Sequence, residues 1–253
     1  MKRLGNLNNA LNNKPFLYRI ELMDRFYNLL SNKELIFVKP SEWEDPLENL
    51  IFNATIYKNG IEYIHPSKNK IFGQCWSYEG DSYGLWKNYT TKKNDNGKFG
   101  RHMGVRITTT IEKLIAISKL NEGDFYYGVV DYLWKKDLEL YPKKEIIVEA
   151  LKDPEINENL LKSLLIKRKS YSYEREVRLL SVPTEKMINK DKNYLCHVKI
   201  DPKDFIYSVR FDPALNYTKF CIEKDKLVDK YGFNPCQVTQ STYFHKNKFV
   251  INI

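Results

Sequence analysis

The sequence predicts a single α+β domain over residues 1–253, with a central mixed or split β-sheet flanked by helices. Three observations lead to this prediction. Segments with helix-like and strand-like apolar spacing both occur along the whole chain. Hydrophobic residues make up 42% of the sequence, which is enough for a sizeable core. No internal repeat, low-complexity linker or change of composition divides the chain.

The predicted strands are short runs of β-branched and aromatic residues that end near Pro, Gly or Asn. They cover residues 15–20, 34–38, 71–77, 103–108, 125–134, 173–182, 194–200, 205–211, 237–243 and 249–253. The predicted helices have apolar residues at helical spacing. They cover residues 21–30, 110–120, 154–169, and 214–231 ended by Gly232, and a further helix capped by Asp81 or Ser82 holds Leu85, Trp86 and Tyr89. We expect residues 1–14 to be a mobile N-terminus and residues 92–100 to be a mobile lid.

The composition narrows the class of protein. A 14% aromatic fraction with an ordinary charged fraction excludes a disordered, collagen-like or coiled-coil chain. No apolar run approaches the length of a membrane span, and residues 1–13 lack the apolar core of a signal peptide. The four cysteines show no CxxC spacing, which is typical of reduced thiols. We therefore expect a cytoplasmic protein that does not associate with a membrane.

The chain has 41 Lys and Arg residues against 32 Asp and Glu residues, a formal net charge of +9. This excess has two interpretations: a surface that binds nucleic acid, or a solvated surface rich in lysine. The densest basic run is Lys162–Lys169, at the end of a predicted helix. Cations also stabilise the carboxyl end of a helix, so the run by itself does not decide between the two.

The strongest candidate site is the segment Tyr173–Leu180. Side chains alternate along a strand, so Glu174, Glu176 and Arg178 are expected on one face. One interpretation is a solvent-facing ladder of ion pairs. The other is the floor of a polar cleft, where one carboxylate stabilises developing positive charge and the other acts as a base.

Further candidate residues surround this segment in the sequence. Tyr18-Arg19 places an arginine in an otherwise apolar strand, where it would either bind a phosphate or pair with a carboxylate such as Glu176. Four residues offer a hydroxyl and stacking surface for a flat ring, or else belong to the core: Trp76, Ser77, Trp86 and Tyr89.

The segment Trp43-Glu44-Asp45-Pro46-Leu47-Glu48 is predicted to be an ordered loop, because its prolines restrict the backbone. Asp45 and Glu48 are its candidate site residues, and Asp45 is expected to hold the turn through its own backbone. The four histidines have no ligand spacing, and the sequence contains neither GxxxxGK[ST] nor GxGxxG. We therefore predict no metal site and no phosphate-binding glycine loop.

Taken together, these motifs resemble a known family over nearly the whole chain. They are Tyr-Arg (18–19), Leu-Ile-Phe-Val-Lys-Pro-Ser-Glu-Trp-Glu-Asp-Pro-Leu-Glu (35–48), Cys-Trp-Ser (75–77), Leu-Trp-Lys-Asn-Tyr (85–89), Gly-Val-Arg-Ile (104–107) and Tyr-Glu-Arg-Glu-Val-Arg-Leu-Leu (173–180). The chain resembles the bacterial domain of unknown function 2971 family, whose name carries no established activity.

The order of an aromatic-Arg pair, a strand-borne Ser and a later Glu-x-Glu is also similar to the Arg-Ser-Glu pattern of ADP-ribosyltransferases. This resemblance implies that NAD is a substrate, with Arg19 on its phosphates and Ser77 supporting the nicotinamide ribose. It implies that Glu176 binds the ribose hydroxyl and favours an oxocarbenium-like transition state. Glu174 would orient or deprotonate an acceptor, and the setting implied is a bacterial toxin or phage-defence system.

Two other classes of function remain open. A metal-dependent nuclease would place Asp45, Glu48, Glu174 and Glu176 around Mg²⁺. A non-catalytic module would bind nucleic acid or protein through Lys162–Lys169. The acceptor, whether nucleic acid or protein, and any antitoxin or defence partner are not specified by the sequence.

Overall fold

The computed structural model describes residues 1–5, 15–80, 82–93, 96–189 and 194–243. It confirms the α+β class, with a large mixed central sheet flanked by helices. The close contacts along the chain group the residues into two compact units, which are described separately below. The expectation that residues 1–253 are one domain stays a prediction.

The strands of the described residues are mostly short, and several contain seven residues. They are β1 (Lys2–Arg3), β2 (Phe16–Leu22), β3 (Glu34–Phe37), β4 (Ile56–Lys58), β5 (Ile61–Tyr63), β6 (Phe72–Ser77), β7 (Thr91–Lys93), β8 (Phe99–Arg101), β9 (Gly104–Thr110), β10 (Asp124–Val129), β11 (Asp131–Leu133), β12 (Ile166–Arg168), β13 (Glu176–Val182), β14 (Ile188–Asn189), β15 (Leu195–Lys199), β16 (Ser208–Phe211) and β17 (Val238–Gln240).

The α-helices of the same residues are α1 (Met23–Asn32), α2 (Leu50–Asn53), α3 (Tyr83–Thr90), α4 (Ile111–Ile117), α5 (Lys135–Leu140), α6 (Glu145–Lys152), α7 (Glu158–Ser163), α8 (Pro202–Phe205) and α9 (Tyr217–Tyr231). As predicted, Ser82 caps α3: its hydroxyl accepts a hydrogen bond from the amide of Leu85. Gly232, with φ of 69°, ends α9 in the left-handed conformation.

The first unit consists of Met1–Leu17, Glu34–Gly80 and Thr110–Ile200. Its part of the central sheet has the strand order β1-β10-β13-β6. β13 is antiparallel to both β10 and β6, and β1 is parallel to β10. This unit also holds the smaller sheet β14-β15-β3 and the parallel pair β11-β12.

The core of the first unit lies against the apolar sides of β13 and its neighbours. Val177 and Leu179 of β13 are completely or almost completely buried. A separate apolar cluster joins β13 to α2, α6 and α7, with these buried members: Leu4, Ile51, Phe52, Ile71, Ile147, Ala150, Leu160, Leu161, Leu164, Leu165 and Leu180. β13 is therefore fixed by packing, and this fixes the direction of its polar side chains.

The second unit consists of Tyr18–Lys33, Asp81–Thr109 and Asp201–Ile253, as far as these ranges are described. In it β16 is antiparallel to β9 and parallel to β17. The alternation of β9 and β16 buries one apolar face completely, formed by Val105, Ile107, Val209 and Phe211.

Several local predictions are corrected by the structure. The predicted mobile N-terminus is wrong for its first residues, because Lys2–Arg3 pairs with β10 and Leu4 is buried. The predicted strand 125–134 divides into β10 and β11, between which the amide of Val130 bonds to the carbonyl of Glu176. The predicted lid 92–100 is partly a hairpin of β7 and β8. The predicted strand 249–253 lies outside the described residues.

The predicted helix 154–169 is wrong over its second half. The helix ends at Ser163, and residues Ile166–Arg168 form β12 instead. Parallel pairing with β11 holds this short strand in place. In the described part of the chain, no helix has both the length and the apolar character needed to cross a bilayer.

Candidate functional site

The first unit contains a group of buried charged side chains, which we call the ionic cluster. Its members are Glu48, Lys167, Glu174, Glu176 and Arg178, and their exposed fractions lie between 0% and 7%. Buried charges are costly unless they are paired and hydrogen-bonded. The stability of this unit's interior therefore depends on the ion pairs and hydrogen bonds among these five groups.

The pairing of β13 with β6 positions two of the five members of the ionic cluster, Glu176 and Arg178. Glu176 lies directly opposite Ser77, and Arg178 lies opposite Cys75. Because side chains alternate along a strand, these four residues share one face of the sheet. The shared face of Glu176 and Arg178 is as the sequence predicts.

Glu174 reaches the cluster by a different route from the one predicted. It lies at the end of a 3-10 helix, Lys169–Glu174, and not on β13. Arg175 follows with φ of 48°, a left-handed backbone conformation that separates the turn from the strand. The carbonyl of Glu174 accepts a hydrogen bond of 2.6 Å from the hydroxyl of Ser77, which ties the turn to β6.

Glu48 belongs to the loop at residues 43–48, and its side chain lies in the ionic cluster. Asp45 accepts a hydrogen bond of 3.0 Å from the amide of Leu47, which caps the 3-10 helix Pro46–Asn49. This confirms the predicted role of Asp45 in the turn. Both carboxylate oxygens of Asp45 also accept from Arg168, at 2.6 and 2.7 Å. The loop is therefore fixed at the start of this short helix, and Glu48 is buried within the cluster.

Arg178 is fully buried, and its guanidinium donates hydrogen bonds from all three nitrogens. Its Nε donates to Oε1 of Glu176 at 2.8 Å, its Nη1 donates to the carbonyl of Leu164 at 2.6 Å, and its Nη2 donates to Glu48. The ring of Trp43 covers the guanidinium, 4.2 Å from Cζ to the ring centroid. Arg178 therefore joins the loop, β13 and the end of α7 at one point.

Lys167 lies at the centre of the three carboxylates. Its Nζ is 2.6 Å from Oε2 of Glu174, 3.2 Å from Oε2 of Glu176 and 3.2 Å from Oε1 of Glu48. Burial alone would lower the pKa of Lys167, but the three carboxylates outweigh burial and raise it. The raised pKa keeps Lys167 cationic at neutral pH.

The three carboxylates differ in their protonation behaviour. Burial would raise the pKa of Glu176, but the charges of Arg178 and Lys167 outweigh it and lower the pKa to about 2. Burial dominates for Glu48 and Glu174, so their pKa values are raised above the ordinary value. The site thus combines one carboxylate that stays ionised with two that bind protons more readily. Such a separation of pKa values is typical of acid–base sites.

Two further side chains contact Glu176. The hydroxyl oxygen of Tyr132 accepts a hydrogen bond of 2.8 Å from its amide. The thiol of Cys75 bonds to its carboxylate, and burial together with the charge of Glu176 raises the pKa of that thiol. Cys75 is therefore a hydrogen-bond donor here and not a thiolate nucleophile.

The structure places the other predicted site residues in two groups. Ser77 lies in the first unit with Glu174 and Glu176, whereas four candidates belong to the second unit: Tyr18, Arg19, Trp86 and Tyr89. Arg19 pairs with Glu21 at 2.5 Å, and the ring of Tyr18 packs against Arg106.

Of the predicted aromatic surface, Tyr89 is exposed, whereas the two tryptophans are buried. Trp76 is buried on the side of β6 opposite Ser77, and its Nε1 donates to Gln74 at 2.9 Å. Trp86 is buried with Ile20 and Leu85. In this structure both rings are core residues, so neither presents a face for a ligand to stack on.

Residues of the two alternative functions, the metal-dependent nuclease and the basic binding module, are engaged in ion pairs. The four carboxylates of the nuclease hypothesis are each paired with a lysine or arginine. Among the described residues, no group of three or more His, Cys, Asp or Glu side chains is arranged to hold a metal ion. Three cations of the basic run Lys162–Lys169 are paired with carboxylates. Lys167 belongs to the ionic cluster, Arg168 pairs with Asp45, and Lys162 pairs with Glu158.

Sequence reasoning missed Lys167 and Tyr132 as members of the site. Both lie on the short strands β11 and β12, where Tyr132 and Lys167 are register partners. A signal was present: Leu164-Leu165-Ile166 is a continuous apolar run that leads directly into Lys167. Leucines at 160, 161, 164 and 165 also fit helical spacing, so the local pattern favours a helix over this segment.

Comparison with known proteins gives no relative for this chain. No family model, no curated protein and no solved structure matches it.

Proposed function

We propose that the chain is an ADP-ribosyltransferase-like enzyme that consumes NAD and transfers ADP-ribose to nucleic acid or protein. The observation that carries this proposal is the direct opposition of Ser77 and Glu176 on β6 and β13, beside a second carboxylate, Glu174. The motif resemblance requires a Ser and the last Glu of a Glu-x-Glu pair to act together. The register makes such joint action physically reasonable.

Glu176 is suited to stabilise positive charge. Breaking the bond between nicotinamide and ribose develops positive charge on the ribose, and a carboxylate fixed in place lowers the energy of that state. A group with a pKa of about 2 is ionised throughout the neutral range. Arg178 holds it from one side through a hydrogen bond of 2.8 Å, so it does not need to reorganise during the reaction.

Glu174 is suited to take a proton from the acceptor. Its raised pKa brings it closer to neutral pH than an exposed glutamate, which favours general-base catalysis. Its position at the end of a 3-10 turn, and not on β13, gives it a direction of approach separate from that of Glu176. The two carboxylates can then have different roles in one reaction.

Three carboxylates surround the ammonium of Lys167, so this part of the unit stabilises positive charge, which is the kind of charge that develops on the ribose. The assignment of Tyr18 and Arg19 to the phosphates of NAD remains a prediction from the resemblance. The same holds for the toxin or phage-defence setting and for membership of the domain of unknown function 2971 family.

The test is transfer of label from adenine-labelled NAD into the DNA, RNA and protein of a cell extract. Wild-type protein should label one of these pools, and Glu176→Gln should label it at least about 10²-fold less, the scale expected for loss of an electrostatic stabiliser. The matched control is Glu158→Gln, which neutralises an exposed glutamate on α7 that pairs with Lys162. It should label as the wild type does.

Circular dichroism and a thermal melt of each variant establish that it is folded at the assay temperature. If folded wild-type protein leaves NAD intact and labels no pool, the proposal is overturned. If Glu176→Gln is folded and as active as the wild type, the assignment of Glu176 is overturned.

A further inference from the structure

We propose that Lys167 is a positioning residue of this site, whose ammonium group holds Glu174 and Glu176 together as ionised partners. The enzymatic consequence rests on the proposed function, whereas the electrostatic role is a property of the chain alone. Lys167 acts through the carboxylates, so we do not assign it to the reacting atoms.

The geometry of the ammonium group carries this inference. An ammonium has three N–H donors, and three carboxylates surround this one: Glu174 at 2.6 Å and Glu176 and Glu48 at 3.2 Å each. One donor is thus provided for each acceptor. Because the three donors point in different directions, a single cation fixes the relative positions of side chains from three separate segments.

Lys167 links Glu174 to Glu176 in a way that Arg178 does not. The hydrogen bonds of Arg178 go to Glu176, to Glu48 and to main-chain carbonyls. Among the ion pairs of the described residues, Lys167 is the cation that Glu174 and Glu176 share. Without it, Glu176 keeps Arg178 but Glu174 loses its cation beside a second carboxylate, which favours uptake of a proton.

The fold holds Lys167 in this position from two sides. β12 pairs in parallel with β11, which places Lys167 beside Tyr132. The ring of Tyr171 lies 4.8 Å from its Nζ. Lys167 is only 7% exposed, so water does not replace these contacts.

Other charged and titratable groups are packed around the pair, on Lys167 or on the residues that contact it. These groups come from six segments: Asp45 and Glu48 of the loop, Cys75 of β6, Tyr132 of β11, Arg168 of β12, Tyr171 of the 3-10 turn and Arg178 of β13. A substitution of Lys167 removes none of these groups from the chain. A change in titration then reports the lost ammonium.

The first experiment measures protonation directly and does not require activity. Protein labelled with ¹³C at the glutamate carboxyl carbons is titrated by NMR, with signals assigned through Glu174→Gln and Glu176→Gln. In Lys167→Met at least one of the two carboxyls should titrate at least one pH unit higher than in the wild type. Lys167→Arg, which keeps the positive charge, should stay closer to the wild type. Lys152→Met, at an exposed lysine that pairs with Glu149, is the control and should change neither titration.

The second experiment follows the pH dependence of NAD cleavage. In Lys167→Met the acid limb of the profile should move to higher pH and kcat should fall more than KM rises, with rescue in Lys167→Arg. A merely structural role would lower stability without moving the acid limb.

A measurement on unsubstituted protein covers the case in which Lys167→Met does not fold. The ¹⁵N signal of the Lys167 ammonium should shift at the pH where Glu174 titrates. If neither this signal nor the carboxyl titrations show coupling, the inference is wrong. If coupling is present but the wild type consumes no NAD, the proposed function fails and the role of Lys167 stands.

Discussion

Glu48 and Arg178 form a buried ion pair although 130 positions separate them in the sequence. The pair closes the ionic cluster on the side of the loop, and the ring of Trp43 covers the guanidinium. Because Arg178 is fully buried, neither charge can turn to water if its partner is removed. The stability of the first unit therefore requires that each charge of the ionic cluster keeps a partner, and this matters more than the strength of any single contact.

Replacing Arg178 by methionine should strongly destabilise the protein. The change keeps a long apolar side chain but removes one of the two cations that Glu48 and Glu176 share, leaving three carboxylates around Lys167 alone. Removing one partner of a buried ion pair costs about 3–5 kcal/mol. The free energy of unfolding in urea at pH 7 measures this loss.

The control for this prediction is Arg25→Met on α1, where the arginine is exposed. We expect it to change the free energy of unfolding by less than about 0.5 kcal/mol. Equal effects of the two substitutions would contradict the view that the cluster is a major determinant of stability.

Acid should lower the free energy of unfolding, because Glu176 then takes up a proton. The folded-state pKa of about 2 is below the ordinary value of 4.5, so the stabilisation is present above pH 4.5 and is lost as the pH falls toward 2. A difference of this size corresponds to about 3 kcal/mol. Glu48 and Glu174 have raised pKa values and act in the opposite direction, since their contribution is lost as the pH rises.

Comparison with Glu176→Gln isolates this contribution. The difference in free energy of unfolding between the wild type and the variant should be largest near pH 6 and should shrink by about 3 kcal/mol toward pH 2. Urea unfolding at a series of pH values measures it. A difference that does not change with pH would mean that Glu176 is not held ionised by its neighbours.

Gly73→Ala should disturb the cover of the cluster. A Cβ atom at Gly73 would lie 2.7 Å from Cζ2 of Trp43, closer than real Cβ contacts. Overpacking of this kind costs about 1–3 kcal/mol, and it would displace the ring from Arg178. In a Trp43→Leu background the same substitution should cost less, because the obstructing atom is gone. A double-mutant cycle by urea unfolding tests this, and additive effects would contradict it.

Much of the site was predictable because it depends on local rules. The shared face of Glu176 and Arg178 follows from strand alternation, and the turn at Asp45 follows from its side chain and the proline after it. The α+β class follows in the same way from the mixture of periodicities along the chain. These features need only neighbouring residues to form.

The rest depends on tertiary contacts that local patterns do not contain. The segment 164–168 leaves the helix because β11 pairs with it and because the carbonyl of Leu164 bonds to Arg178. Arg175 takes a positive φ without being Gly or Asn, so its residue type gives no signal for the break before β13. The local pattern therefore places Lys167 in the basic run Lys162–Lys169, whereas in the structure its side chain is buried.

The spacing of the cluster along the chain also bears on how the protein folds. Lys167, Glu174, Glu176 and Arg178 lie within a short stretch of sequence, whereas Glu48 comes from far away. Closing a short loop loses less chain entropy than closing a long one, so we expect the nearby charges to meet first. The loop with Trp43 and Glu48 then docks onto a group of ions that is still hydrated. A late event in the formation of this unit is thus the release of water from charges, and its rate should depend on salt in a way that the closure of an apolar core does not.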